Sequence, residues 1–322
     1  MNEQPDSLNS EAERLRNAIP SLRECQTVEP IDKGYSRDRK YTVYGKDGAA
    51  QYVLRTYAIG EHEVKKREFE ALKRMEEKGV TCSRPIEIGR LAELEIGYML
   101  VSHIPGIEAT EALPLLSEDE QCRIGLQAGE ELRKIHQVLA PDSIGSWQAR
   151  MVEKHAKYRI DYERLGVRIE GEGELFAFID SHLHLMQGRP NVFQHDDFHI
   201  GNLIVQDGKL SGVIDFNRYD WGDPISDLLK IGIFSAEVSV PFSVGQLIGY
   251  HEGDEPDDDF WRLYSLYLAM TLVSSVVWIL KTKPEELDVM MAKIVKVMND
   301  HRNFDTVVPA WYRSFFKKSL EI

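Results

Sequence analysis

Along the first third of the chain, apolar and polar residues alternate with the two-residue period of strands, and beyond Pro105-Gly106 they regroup at helical spacing. Residues 27–32 and 40–44 read as extended, Lys46-Asp47-Gly48 as a turn, and residues 51–57 (QYVLRTY) as an alternating strand. Residues 61–78 form a charged helical run that carries Val64, Phe69, Leu72 and Met75 and closes at Gly79. Apolar runs at 86–88 and 96–102 complete a small sheet carrying one helix. After Pro105-Gly106, residues 117–140 open on a capping box (Ser117, Glu120) and stop before Pro141. Residues 172–187, 224–235, 257–281 and 284–300 are further helix candidates. One stretch breaks this pattern, where NLIV and LSGVIDF flank Asp207-Gly208 and predict a hairpin. The pattern predicts an α+β fold, with a small β-rich lobe over residues 1–104 and a larger, mainly helical lobe over 105–322. A cleft between two such lobes is a favoured ligand site.

Composition narrows the partners. A chain of 322 residues with 43% hydrophobic content can bury a sizeable core. The net charge of −14 argues against nucleic acid as the main partner, because phosphate backbones need a basic surface. It favours attraction of a cationic ligand through the long-range field, and it equally serves solubility. Cys25, Cys82 and Cys122 form no C-x-x-C pair, which points away from both a disulfide framework and a zinc site. The longest apolar stretch, 263–280, contains Tyr, Ser and Thr between Arg262 and Lys281 and reads as a buried helix rather than a membrane span. The polar, acidic N-terminus lacks a signal-peptide core, so the expected compartment is the cytoplasm.

The candidate chemistry lies at residues 195–202, HDDFHIGN, together with Asp215 at the far end of the hairpin. His195-x-Asp197 followed by Asn202 fits the kinase catalytic-loop pattern H-x-D-x-x-x-x-N, in which a later Asp binds Mg²⁺. Asp197 is then the base that accepts the proton of an incoming hydroxyl, and Asn202 and Asp215 supply oxygen ligands to Mg²⁺. A hydrated acidic turn ahead of a hairpin would explain any one of these residues alone. It does not explain their joint spacing.

The run HDDFHIGNLIV, then GVIDFNRYDWGDPISDL, resembles the signature of the aminoglycoside phosphotransferase family, small-molecule kinases on the protein-kinase-like fold. The family form is H-G-D-x-H-x-x-N, then I-D, then G-D-P-x-x-D-L, and the last part is matched by Gly222-Asp223-Pro224 and Asp227-Leu228. The resemblance implies Asp197 as catalytic base and Asn202 and Asp215 as metal ligands. His195 and His199 then brace the loop, and Asp223 is divided between helix cap and loop brace. In the first lobe, Gly34 and Ser36 fall where the phosphate-covering loop lies. Arg55 takes the place of the strand lysine, with Glu68 as its ion-pair partner. Backbone groups of Ser102 and Ile104 would meet the nucleobase, with Val101 behind it. Three departures stand out. Arg55 replaces Lys, Asp196 replaces the Gly between His and Asp, and Ile200 replaces a Pro. Asp196 either raises the pKa of Asp197, helps hold a cationic substrate, or points to solvent.

The implied reaction transfers the γ-phosphate of ATP or GTP, with Mg²⁺, to a hydroxyl of an aminoglycoside-type or related antibiotic, with antibiotic resistance as its consequence. A metabolite kinase for an amino alcohol, sugar or amino acid is the alternative, and a non-catalytic nucleotide-binding module a more distant one. Tyr158, Asp161, Glu252, Asp254, Asp257, Trp261 and Trp278 supply carboxylates and aromatic faces for an acceptor, and all are also ordinary surface or core residues. No G-x-x-x-x-G-K-S/T run or G-x-S-x-G elbow occurs, which sets aside P-loop kinases and acyl-transfer hydrolases. The oligomeric state is left open.

Overall fold

The structure is a computed structural model and describes residues 5–31 and 38–320. Its contacts group residues 1–106 with 211–217 as one unit and 107–210 with 218–322 as a second. The first unit is built on an antiparallel sheet of order β1-β2-β3-β5-β4. Its strands are β1 (Thr27–Ile31), β2 (Arg39–Tyr44), β3 (Ala50–Ala58), β4 (Pro85–Leu91) and β5 (Ile96–Ser102). Because side chains alternate across a strand, β3 sends Leu54 to one face and Arg55 to the other. Leu54 packs with Tyr41, Val43, Tyr98 and Leu100 beneath Leu15, Ile19 and Leu22, which come from α1 (Pro5–Ala18) and the turn behind it. No helix is expected here from the sequence, since the few apolar positions stand in an otherwise polar run. On the other face lies α2 (His62–Glu77), burying Lys65, Glu68, Phe69, Leu72 and Met75.

The second unit opens with β6 (Ile107–Glu108), α3 (Ala109–Ala112), α4 (Glu118–Ile135), α5 (Trp147–Glu163) and α6 (Glu172–His182). Next come β7 (Val192–Gln194), β8 (Leu203–Gln206), β9 (Lys209–Val213), β10 (Asp220–Gly222) and α7 (Pro224–Leu228). The chain then runs through α8 (Ala236–Val238), α9 (Val240–Tyr250), α10 (Asp258–Thr282), α11 (Leu287–Asp300) and α12 (Ala310–Leu320). The capping box of α4 forms: the Ser117 hydroxyl accepts from the Glu120 N–H, and the Glu120 carboxylate accepts from the Ser117 N–H. The β8–β9 hairpin turns at Asp207 and Gly208, whose φ values of 50° and 70° are those of a primed turn. The last three residues of β9 belong to the first unit, where the Val213 N–H donates to the Thr81 carbonyl at 2.9 Å.

Two differences from the sequence expectation have clear causes. No helix is expected over residues 240–250, which hold Pro241 and two glycines, Gly245 and Gly249. Yet Pro241 sits in the first turn, where no intrahelical donor is needed, and the glycines serve close packing against α4. A Cβ on Gly125 would stand 2.1 Å from the Phe242 carbonyl oxygen, and one on Gly249 would stand 2.1 Å from that of Leu126. The helix expected over 224–235 instead splits into α7 and a wider π-helical turn, Ile231–Ser235. Helix α10 is long and apolar enough to cross a membrane by length and composition, but 72% of its most apolar window is buried inside the structure.

Candidate active site

The chain leaves β7 at Gln194 and crosses an irregular loop to a short 3₁₀ turn, Ile200–Asn202, before β8. The backbone N–H groups of His195 and Asp196 donate to the two carboxylate oxygens of Asp227 at 2.6 and 2.7 Å. Asp227 is itself buried on α7 and is met by His136 Nε2 at 3.2 Å, while His136 Nδ1 lies 2.8 Å from the Tyr250 hydroxyl. His195 is fully buried, and its Nδ1 accepts the Asp197 N–H at 3.3 Å. His199 Nδ1 accepts the Gly201 N–H at 3.1 Å, and the Asn202 side-chain amide donates to the Asp197 carbonyl at 2.8 Å. Side chains thus satisfy the backbone of a turn that has no ladder to join. Asp196 adopts φ 62°, in the left-handed region. The family's glycine takes that conformation freely, and Asp is among the few other residues that tolerate it.

The Asp197 carboxylate has three basic side chains around it. Lys230 Nζ lies 3.3 Å away, His199 Nε2 3.6 Å and Arg218 Nη1 3.9 Å. Burial pushes its pKa up, but Lys230, His199 and Arg218 together outweigh burial and hold it below the ordinary aspartate value. The net direction is therefore downward, set by these three groups rather than by Asp196. Lys230 and Arg218 were not legible as site residues, because no motif spacing ties them to Asp197. Asp196 is solvent-exposed at its surface, yet the protein packed around its carboxyl and the nearby Asp227 push its pKa up to about 6.

Asp223 is fully buried and caps α7, accepting the Ile225 N–H at 2.9 Å. It also receives Arg189 through both Nε and Nη2, and the Tyr267 hydroxyl at 2.7 Å. The cap and brace roles therefore belong to one carboxylate.

In the first unit, Arg55 donates to Glu68 and to Asp38, and Lys65 joins the same group. Burial disfavours the Arg55 charge, but Glu68, Asp38 and then Asp215 hold its pKa above the ordinary value. Asp215 follows β9 with φ 69°, a left-handed conformation for a non-glycine residue. Ser102 donates its N–H to the Arg84 carbonyl at 2.8 Å, and His103 donates to Gln51 at 2.9 Å. The Arg84 N–H goes to the Ser102 hydroxyl at 2.8 Å. Gly34 and Ser36 lie outside the described residues.

Asn202 in the second unit and Asp215 in the first each carry a donor type that Mg²⁺ accepts. With its NH₂ committed to the Asp197 carbonyl, Asn202 has an amide oxygen to offer, and Asp215 offers a carboxylate, both hard oxygen donors. Among the described residues no group of three His, Cys, Asp or Glu side chains could hold a metal.

Most candidate acceptor residues already have structural partners. Asp161 pairs with Lys281 at 2.7 Å, Glu252 with Arg133 at 2.9 Å, and Asp257 caps α10. Trp261 is buried against Tyr264 and Tyr312, whereas Trp278 is 41% exposed.

Comparison with known proteins places this geometry. A search of curated proteins finds no match. Among solved structures, the aminoglycoside 2'-phosphotransferase-IIIa GDP complex superposes with a TM-score of 0.68 at 15% identity, covering 92% of this chain and 99% of that one. ADP-bound aminoglycoside phosphotransferase APH(2'')-Ib gives 0.61 at 17% identity, over 88% and 96%. A thermostable mutant of aminoglycoside phosphotransferase APH(4)-Ia with AMP-PNP and hygromycin B gives 0.66 at 13%, over 92% and 99%. At these identities the likeness shows the fold, which is protein-kinase-like. The family model of the phosphotransferase enzyme family matches residues 27–264, most of the chain. The chain belongs to the phosphotransferase enzyme family and is a small-molecule kinase.

Proposed function

We propose that the protein transfers the γ-phosphate of ATP or GTP to a hydroxyl of an aminoglycoside-type or related antibiotic, with Asp197 as the base. The observation that carries this reading is the Asp197 carboxylate, held ionised by Lys230, His199 and Arg218 on a loop pinned by Asp227. An ionised carboxylate accepts a hydrogen bond from the acceptor hydroxyl and orients its lone pair toward phosphorus. A base with so low a pKa takes the proton late, as the new P–O bond forms. Arg55 supplies positive charge to the nucleotide phosphates. The Ser102 carbonyl and the Ile104 N–H are the backbone pair we assign to the nucleobase. Asn202 and Asp215 are the residues that would hold Mg²⁺, which when bound neutralises phosphate charge. Most of the rate gain on this scheme comes from positioning and charge stabilisation.

The test is nucleotide-coupled turnover across an acceptor panel, run with ATP and with GTP. Asp197→Ala should lower turnover on an accepted substrate by roughly 10²–10⁴-fold. Unchanged turnover would remove the assignment. Resistance conferred on a susceptible bacterium would support the antibiotic acceptor.

One observation favours a second reading, a metabolite kinase. Lys230 and Arg218 beside Asp197 repel an ammonium next to the reacting hydroxyl and suit an acceptor that is neutral or anionic there. The same panel, extended to sugars, amino alcohols and hydroxy amino acids, separates the two.

A further inference from the structure

A single oxygen of Asp38 receives two cations. Oδ2 accepts from Arg55 Nε at 3.0 Å and Nη2 at 2.6 Å, and from Lys65 Nζ at 2.5 Å. The remaining edge of Arg55, Nη1, donates to Glu68, whose other oxygen lies 3.8 Å from Lys65 Nζ. All four side chains are buried, none more than 10% exposed. They come from three places: Asp38 just ahead of β2, Arg55 on β3, and Lys65 and Glu68 one turn apart on α2. Glu68 alone suffices to pair Arg55. Burying a second cation from the helix is costly unless an anion meets both. A guanidinium fork and an ammonium converging on one oxygen is the geometry that recognises a phosphate oxygen.

We propose that Arg55 and Lys65 together form a two-cation phosphate site, and that Asp38 competes for it as an internal anion which the nucleotide phosphates displace. The proposal deepens the nucleotide reading above and rests on it. Glu68 stays on Arg55 in both arrangements and keeps the guanidinium aimed. The exchange of one anionic oxygen for another leaves the two cations matched, and the released carboxylate regains hydration. Asp38 therefore lowers the apparent affinity for phosphate-bearing ligands and leaves that for a bare nucleoside unchanged.

Calorimetric titration of the full chain with ADP and with adenosine tests this. Asp38→Asn should bind ADP roughly tenfold more tightly than the native chain, and adding Lys65→Gln should abolish the gain. Adenosine affinity should change by less than about twofold throughout. Lys65→Gln alone should weaken ADP several-fold, with Lys65→Arg restoring most of the loss, so the proposal stays open to test even where an Asp38 variant folds poorly. ADP affinity that is unchanged or weaker in Asp38→Asn, or an equal gain for adenosine, overturns the proposal. So does unchanged ADP affinity in Lys65→Gln. A native chain that binds neither ADP nor adenosine overturns the nucleotide reading itself, an outcome distinct from normal binding that ignores Asp38 and Lys65.

Discussion

Arg55 and Asp197 are each surrounded by groups of opposite charge, yet the two surroundings differ in kind. Around Arg55 two cations meet more than one carboxylate: Arg55 and Lys65 face Asp38 and Glu68, all buried between a strand and a helix, and Asp215 acts on Arg55 as well. Around Asp197, Lys230, Arg218 and His199 approach one carboxylate that is 22% exposed. A closed set costs much to break, because any member removed leaves the remaining buried charges with one partner fewer. A half-open set of ion pairs is weaker as structure. The first holds a side chain in place and the second holds a protonation state.

Breaking the closed set should have the largest effect on stability. Glu68→Ala leaves two buried cations sharing Asp38 and should lower unfolding stability by roughly 3–5 kcal/mol, read from the urea midpoint. A loss below about 1 kcal/mol would mean the quartet is hydrated like a surface pair.

Asp227→Ala tests the scaffold of the open set. It leaves the His195 and Asp196 N–H groups without their acceptor and should cost about 1–3 kcal/mol. Turnover should fall with it. Full turnover at reduced stability would show that Asp227 does not aim Asp197.

The cations over Asp197 set a pH limit. A depressed pKa keeps the carboxylate ionised through neutral pH, so the acid limb of kcat/KM should lie below the ordinary aspartate range near 4. The accompanying stability is present above the unfolded pKa and is lost as pH falls through the folded one. Lys230→Met removes the nearest cation and should move that limb to higher pH. A limb that stays in place would assign the depression to Arg218 and His199.

The smallest effect concerns Asp196, whose pKa is pushed up to about 6. A raised carboxylate penalises the folded state as pH rises from the unfolded value near 4 toward 6. Asp196→Asn should therefore melt slightly higher than the native chain at pH 7 and no higher at pH 4.

The strand-rich first unit, the Ser117 capping box and the Asp207-Gly208 hairpin were legible in the sequence because each rests on local chemistry. Periodicity exposed α2 for the same reason, and the length of its apolar run exposed α10. Helix α9 was hidden because its glycines and Pro241 carry two meanings, breaker and close-packing residue, and only the neighbouring helix decides between them. Likewise the pairing of Arg55 with Glu68 was suggested by the family pattern, while Asp38 and Lys65 in the same cluster have no local signature.

By itself the sequence determined the order of chemical groups along the chain: His195, Asp197, Asn202, then Asp215, at a spacing set by one loop and one hairpin. That spacing is a local property and survives without knowledge of packing. Tertiary structure decided how Asp197 is charged and how the loop around it is held. Lys230 and Arg218 reach Asp197 from beyond the hairpin, Asp227 gathers two N–H groups from more than one helix turn of sequence away, and Asp38 meets Arg55 and Lys65 across a strand and a helix. Electrostatic environment depends on distance in space, and distance along the chain records it only where the chain has not yet turned.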